Sequence, residues 1–175
     1  GIKLHLHRIN ESLQDDKIAL VINRLSGLFQ ELRNISHNLS SNFLKDKDFQ
    51  TALLELKKGL EERNEFKLEI VIYPEDTFAA LSESFTHEIY RIIQELLANV
   101  SKHAEASEVS LTITRHANFL NIIVEDDGVG FKSDGVSGIG LKNIANRLKS
   151  LHGTLNIESI VGSGSSIIVD IPYKQ

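Results

Sequence analysis

The sequence feature that most constrains the fold is a run of apolar residues at alternating steps of three and four. The run occupies Ile18, Val21, Leu25, Leu28, Leu32, Ile35 and Leu39. This spacing predicts a helix with a coiled-coil-type seam. Ile22 and Phe29 widen the apolar stripe beyond what a two-stranded interface would cover, so we expect the helix to pack in a four-helix bundle.

The same spacing occurs upstream, and a polar stretch over 10–17 separates the two runs. The upstream apolar residues are Ile2, Leu6, Ile9 and Leu13. Residues 1–42 are therefore predicted to form a truncated antiparallel helical hairpin. Because one hairpin cannot cover both of its apolar stripes, we expect it to form a homodimer with a second copy.

After residue 42 the pattern changes to alternating helices and strands. Helices are predicted near 49–62, 82–104 and 141–151, and strands near 67–73, 109–113, 119–124, 155–159 and 166–171. Five strands and three helices suggest an open sheet covered by helices, an α+β domain over 43–175.

The composition excludes several classes of protein. Hydrophobic residues make up 41% and charged residues 25%, which is typical of a folded protein in water, and no apolar run is long enough to span a membrane. The net charge of −5 gives no long-range attraction to nucleic acid. With no cysteine there are no disulfides or thiolate ligands, and no pair of histidines shares a helical face with a carboxylate as a histidine-rich metal site would need.

Three segments carry candidate chemistry, and the first lies in the second predicted helix of the α/β part. Glu95 and Asn99 are four residues apart and share one face of that helix, with Lys102 and His103 at its end. Such polar residues are often simply solvated. A carboxylate and an amide one turn apart are, however, also hard oxygen ligands for Mg²⁺.

The second segment is a buried strand that runs into an acidic turn. Asp126 ends the strand, and Gly128 and Gly130 follow. The plain interpretation is a strand that exits into a loop. A carboxylate fixed at this point would also accept a hydrogen bond from an exocyclic amine, beside a backbone that a flat ligand can approach closely.

The third segment, 134–143, is a glycine-rich loop that leads into a helix. Its glycines permit close approach, and the free N–H groups of the helix favour phosphate. The segment is not the dinucleotide fingerprint, because Gly138 and Gly140 are followed by Lys142 and Asn143 without a third glycine.

Taken together and in this order, the segments resemble the N box and the two glycine boxes of the GHKL ATPase superfamily. The resemblance covers about 49–172. It implies a two-layer α/β sandwich, the GHKL or Bergerat ATP-binding fold, with ATP and Mg²⁺ as cofactors. By this resemblance Asn99 would hold Mg²⁺, and Glu95 would lie near the metal and its waters. Both would be catalytic residues. Asp126 would accept from the adenine amine, and Gly128 and Gly130 would line the base pocket.

The resemblance also assigns the phosphate contacts. These would come from the second glycine box and the helix start, at Gly138, Ile139, Gly140 and Leu141. Lys102 and His103 would add further phosphate contacts. The late turn 162–165 looks like the one before the last strand in these families, with Ser165 where threonine is more usual.

The order of the parts, a helical hairpin followed by such an ATPase unit, is similar to that of bacterial sensor histidine kinases. Three segments look like those of the nitrate-sensor and desaturase-sensor branch of these kinases. They are the end of the helix at 102–104, the short lid over 131–137 and the sequence 140–148. The resemblance implies transfer of the γ-phosphoryl group of Mg·ATP to a histidine and then to a response-regulator receiver domain. It implies a cytoplasmic domain, with membrane anchoring of the full-length protein left open.

The phosphoacceptor histidine is not evident in this chain. Neither His5 nor His7, at the predicted first helix, is followed by an acidic residue that could act as its base. His37 follows a serine as in other sensor kinases, but it lies on the second helix and precedes an asparagine. We therefore expect the acceptor to precede Gly1 and this fragment to be unable to phosphorylate itself.

Two alternatives remain at the level of the sequence. One is a GHKL serine kinase of the anti-sigma type, which lacks a long heptad hairpin. The other is a non-catalytic dimeric interaction module, against which the intact polar and glycine positions argue.

Overall fold

The computed structural model describes residues 48–63, 65–79, 81–131 and 139–173. The predicted hairpin over 1–42 lies outside the described residues and stays a prediction, as does the domain boundary after residue 42. Residues Lys47–Gln175 form one compact unit.

Three helices are described, and the first two begin at a residue whose side chain caps the helix. Helix α1 covers Phe49–Glu62 and starts at Asp48, whose carboxylate accepts from the Thr51 N–H at 2.8 Å. Helix α2 covers Glu83–His103 and is capped in the same way by Ser82. Helix α3 covers Ile139–Ser150.

Five strands form one mixed sheet. They are β1 (Lys67–Tyr73), β2 (Glu108–Arg115), β3 (Phe119–Asp126), β4 (Thr154–Ser159) and β5 (Ser165–Pro172). The order across the sheet is β1-β2-β3-β5-β4, with β1 and β2 parallel and the other neighbours antiparallel. The long helix α2 connects the parallel pair, because parallel strands cannot be joined by a tight turn.

The core lies between one face of the sheet and the three helices. Strands β2, β3 and β5 bury alternate residues and leave the residues between them partly exposed, so among the described residues the helices cover one face of the sheet. Helix α2 contributes the largest buried stripe, at Ile89, Ile92, Ile93, Leu96, Leu97 and Val100. These layers confirm the predicted two-layer α/β sandwich.

The predicted helices and strands over 49–172 are confirmed, with small differences at their ends. Strand β3 extends to Asp126 because Asp126 pairs with Val109 on one side and Ser165 on the other. Helix α3 begins at Ile139, two residues before its predicted start. None of the described helices is long and apolar enough to cross a membrane.

Candidate active site

Glu95 and Asn99 lie on the face of α2 that meets the first turn of α3. A Cβ atom added to Gly140 would stand 2.6 Å from both Glu95 Oε1 and Asn99 Oδ1. The two oxygens therefore lie close to one another, next to the Gly140 backbone. The structure thus brings the first and third sequence segments together, and only glycine fits at position 140 without moving these side chains.

The amide of Asn99 is incompletely satisfied. Its Nδ2 atom is buried and has no hydrogen-bond partner among the described residues. Buried polar atoms without partners are uncommon in native proteins, and they often mark a place where a ligand or water binds. Carboxylate and amide oxygens converge here, and they are donors that suit Mg²⁺.

Asp126 ends β3, where its carboxylate is held by two neighbours. Asp126 Oδ1 accepts from the Gly128 N–H at 3.0 Å, and Oδ2 accepts a short hydrogen bond from the Ser165 hydroxyl. Ser165 faces Asp126 because the two residues are direct partners in the β3–β5 ladder. The carboxylate therefore has a fixed orientation, which a hydrogen-bond acceptor for a ligand needs.

The glycines of the acidic turn are required by the protein's own backbone. A Cβ atom on Gly128 would lie 2.1 Å from the Ala104 carbonyl oxygen, which also accepts from the Val129 N–H at 2.8 Å. Gly130 has φ +58°, and a Cβ atom there would lie 2.1 Å from the Ile160 carbonyl oxygen. The turn is thus held between the end of α2 and the β4–β5 turn, and its contact with a nucleotide base stays a prediction.

Asp127 has a structural role that the sequence did not reveal. Its Oδ1 atom accepts from the backbone N–H groups of Glu108 and Ser107, at 2.9 and 2.8 Å. These two hydrogen bonds hold the pKa of the Asp127 carboxyl below its ordinary value. Asp127 therefore fixes the start of β2 beside the acidic turn.

The remaining predicted residues stand at the ends of helices. Lys102 and His103 are exposed in the last turn of α2, two residues and one residue before Ala104, which contacts the acidic turn. Leu141 is partly buried in the first turn of α3, and Ile139 begins this helix. Gly138 lies outside the described residues. The phosphate contacts assigned to these positions stay predictions.

Ser165 and Ala104 both lie beside the candidate site. The sequence alone assigns no role to Ser165 and does not single out Ala104. The turn 162–165 carried a signal for Ser165, but nothing in the sequence shows that its hydroxyl reaches Asp126, 39 residues away. The Ala104 carbonyl carries no side-chain signal at all. An ion pair between Arg147 Nη1 and Glu88 Oε2, at 2.7 Å, was also missed, because 59 residues separate its partners.

The fold is an α/β sandwich, and its candidate site lies between α2, α3 and the turn after β3. Residues 86–175 match the family model described as histidine kinase-, DNA gyrase B-, and HSP90-like ATPase. This match covers more than half of the chain, and the chain belongs to this ATPase family. The family supports the expected use of ATP.

Curated relatives confirm the resemblance to bacterial sensor histidine kinases. The chain is 30% identical over 160 residues to the sensor histidine kinase ComP of Bacillus subtilis, covering 89% of this chain and 20% of ComP. It is 30% identical over 164 residues to the sensor histidine kinase LiaS of the same organism, covering 90% of this chain and 44% of LiaS. The chain thus spans less than half the length of either relative.

Solved structures confirm the fold. The blue-light activated histidine kinase of Erythrobacter litoralis EL346 superposes with a TM-score of 0.64 at 20% identity, over 86% of this chain and 49% of that one. The histidine kinase AdeS of Acinetobacter baumannii gives a TM-score of 0.63 at 15% identity, over 99% of this chain and 95% of that one. At these identities the likeness concerns the fold alone.

Proposed function

We propose that this chain is the ATP-binding catalytic part of a two-component sensor histidine kinase. The reaction is transfer of the γ-phosphoryl group of ATP to an imidazole nitrogen, in which the bond from phosphorus to the bridging oxygen of ADP breaks and a bond from phosphorus to nitrogen forms. The acceptor is a histidine other than the seven in this chain. The phosphoryl group then passes to an aspartate of a response-regulator receiver domain.

The convergence of Glu95, Asn99 and Gly140 carries the proposal. A carboxylate, an amide with an unsatisfied N–H group and the start of a helix meet at one point. The N–H groups in the first turn of a helix attract phosphate, and the helix dipole adds a partial positive charge. A solvated helix face would not have its amide buried against the backbone of another helix.

Asn99 is the residue that would hold Mg²⁺, with Glu95 close enough to orient water around it. When bound, Mg²⁺ neutralises negative charge on the transferred phosphoryl group and on the phosphates that remain with ADP. Gly140 leaves the two oxygens room. The protein contributes positioning and charge neutralisation rather than covalent chemistry.

Asp126 would select the base, and the end of α2 would support the phosphates. The Asp126 carboxylate, held by Gly128 and Ser165, accepts a hydrogen bond from the adenine amine. The backbone of 128–130 lines the base pocket. Lys102 and His103 supply positive charge and hydrogen-bond donors for the phosphates. Gly138, Ile139, Gly140 and Leu141 supply backbone contacts at the start of α3.

The partners follow from the predicted hairpin and from the class of reaction. Residues 1–42 form a homodimer through the hairpin, and a response regulator receives the phosphoryl group in the cytoplasm. ComP, LiaS and NreB are each named as sensor histidine kinases. These names favour a histidine kinase over the serine kinase and over the non-catalytic module.

Calorimetric titration of the chain with ADP in the presence of Mg²⁺ tests the proposal. We expect saturable binding that Asn99→Asp alters in its metal dependence and that Gly140→Ala weakens, because a methyl group there must displace both Glu95 and Asn99. The matched control is Gly59→Ala in α1, where the nearest atom to an added Cβ is 3.8 Å away. Absence of heat for the wild-type chain up to millimolar ADP would contradict the proposal.

A further inference from the structure

Helices α2 and α3 are joined at two points that lie two turns apart on each helix. At one point Gly140 of α3 sits against Glu95 and Asn99 of α2. At the other point Arg147 of α3 is paired with Glu88 of α2. Going from the first point to the second moves seven residues forward on α3 and seven residues back from Glu95 on α2, so the two helices run antiparallel, with about 10.5 Å between the points.

The pair of Arg147 and Glu88 has the properties of an anchor. Its N–O distance is 2.7 Å, and the two side chains are only 29% and 31% exposed. Partly buried, charge-assisted hydrogen bonds of this length are stronger and more directional than exposed ion pairs. The pair joins two helices, whereas the pairs Lys57–Glu61 and Lys58–Glu62 each lie within a single helix.

Between the two points each helix carries a fully buried apolar residue, Ile144 on α3 and Ile92 on α2. Apolar packing of this kind holds the helices together but fixes their relative shift along the axis only weakly, because ridges and grooves repeat every turn. A directional bond at one end removes that freedom.

The shift of α3 along α2 matters because of what the first turn of α3 touches. A Cβ atom added to Gly140 would lie only 2.6 Å from Glu95 Oε1 and 2.6 Å from Asn99 Oδ1, so there is little free space around Gly140. A small displacement of α3 would change the separation of the Glu95 and Asn99 oxygens from the helix start.

We propose that Glu88 and Arg147 are positioning residues, whose ion pair sets the register of α3 on α2 and so holds the start of α3 against Glu95 and Asn99. This inference rests on the proposed function, because the site that is positioned is the proposed Mg·ATP site. Neither residue contacts the nucleotide. They act on nucleotide affinity through the start of α3 and through Glu95 and Asn99, so their effect is larger when Mg²⁺ is present.

The test measures the affinity of the full chain for ADP, once with Mg²⁺ and once with a chelator, for four variants. Glu88→Gln and Arg147→Lys each break or weaken the pair, and Glu88→Arg combined with Arg147→Glu restores it in reverse. The matched control is Asp76→Asn, which removes a carboxylate from a 2.7 Å ion pair between the turn after β1 and Arg115 of β2. Thermal unfolding of each variant shows that it is folded at the temperature of titration.

We expect each single variant to lose about three- to tenfold in affinity for Mg·ADP and to lose less in affinity for ADP in chelator. The reversed pair is expected to recover most of the loss, and Asp76→Asn is expected to change neither affinity. A variant that acted only through general stability would not separate the two affinities, and the reversed pair would not restore them.

Three results overturn the inference. Wild-type affinity for Mg·ADP in both single variants would show that the pair positions nothing, as would an equal loss with and without Mg²⁺. A reversed pair that binds no better than the single variants would exclude the ion pair as the cause. If instead the wild-type chain itself binds no Mg·ADP, the proposed function fails, and the two failures are thus distinguishable.

Discussion

At the scale of single residues, the site is built from side chains whose surroundings leave little choice of position. Asp126 is held by a backbone N–H on one oxygen and a serine hydroxyl on the other. Gly128 and Gly130 are enclosed by carbonyl oxygens of other segments. Orientation of this kind is what a recognition site needs, because its cost is met when the protein folds rather than when the ligand binds.

Replacement of Asp126 tests its role as an acceptor. In Asp126→Asn the amide can still accept from Gly128 N–H and donate to the Ser165 hydroxyl, so the turn should persist, while the negative charge and one of the two acceptor oxygens are lost. We expect a loss in ADP affinity of about tenfold or more. Calorimetry measures it, with Glu125→Gln as the control that removes the carboxylate of the preceding, exposed residue. Equal affinities of Asp126→Asn and the wild-type chain would exclude Asp126 as the base contact.

Two glycines in the β4–β5 turn form a natural pair of substitutions. Gly162 and Gly164 have nearly the same φ, +82° and +83°, but a Cβ atom on Gly162 meets nothing within 4 Å, whereas one on Gly164 would lie 1.9 Å from the Asp126 carbonyl oxygen. We expect Gly162→Ala to cost about 1–2 kcal/mol from φ alone. Gly164→Ala should cost about 3 kcal/mol or more, because steric overlap is added.

Urea unfolding of both variants measures these free energies. The difference between the two variants isolates the contact of the β4–β5 turn with the end of β3. Equal destabilisation by the two substitutions would show that this contact is not close in solution.

At the scale of secondary-structure elements, the site depends on how one element ends against the start of another. The end of β3 holds the start of β2 through Asp127, and the end of α2 holds the acidic turn through the Ala104 carbonyl. Helix α3 meets α2 at Gly140 and again at Arg147. Changes at these ends should therefore affect both stability and nucleotide binding.

The link through Asp127 predicts a dependence of stability on pH. Because the folded state lowers the Asp127 pKa, the ionised carboxylate favours folding at pH values above its ordinary pKa of 3.8, and this stabilisation is lost as the pH falls through the lowered value. Asp127→Asn should therefore lower the melting temperature at neutral pH, and the difference from the wild-type chain should shrink as the pH falls below 3.8. Thermal unfolding across this range checks it, with Glu125→Gln as a control. A difference that is the same at all pH values would contradict this account.

The elements over 49–172 could be predicted because each has a clear local pattern. Strand β1 alternates along Lys67–Tyr73, and α2 carries a stripe of apolar residues with a serine cap at Ser82. The contact of Ser165 with Asp126 and the pair of Arg147 with Glu88 could not be predicted from local patterns. Both depend on sheet order or helix packing, which join residues 39 and 59 positions apart.

At the scale of the whole molecule, the predicted hairpin over residues 1–42 adds an expectation that is separate from the catalytic part. The chain covers 20% to 48% of the length of ComP, LiaS and NreB. The seam from Ile18 to Leu39 has three heptads of apolar residues, which would be costly to leave in water. Self-association through residues 1–42 is therefore a prediction about the molecule rather than about its ATP site.

Sedimentation of the chain tests that prediction. Each fully buried Leu or Ile contributes about 1.5–3 kcal/mol, so the seven seam positions in each chain should outweigh the entropic cost of association, although the short first helix frays readily. We expect a dimer at micromolar concentration and a monomer for Leu25→Asp combined with Leu32→Asp. A wild-type chain that sediments as a monomer would contradict the hairpin interpretation.

The central claim is that Mg·ATP binds between α2, α3 and the acidic turn after β3. The most direct test is to map the changes in amide NMR chemical shifts when ADP and Mg²⁺ are added. The account predicts that the largest changes cluster at Glu95, Asn99, Asp126, Gly128 and Gly140, and that removing Mg²⁺ reduces those at Glu95, Asn99 and Gly140 most. Saturable changes centred instead on the uncovered face of the sheet, or no changes at all, would contradict it.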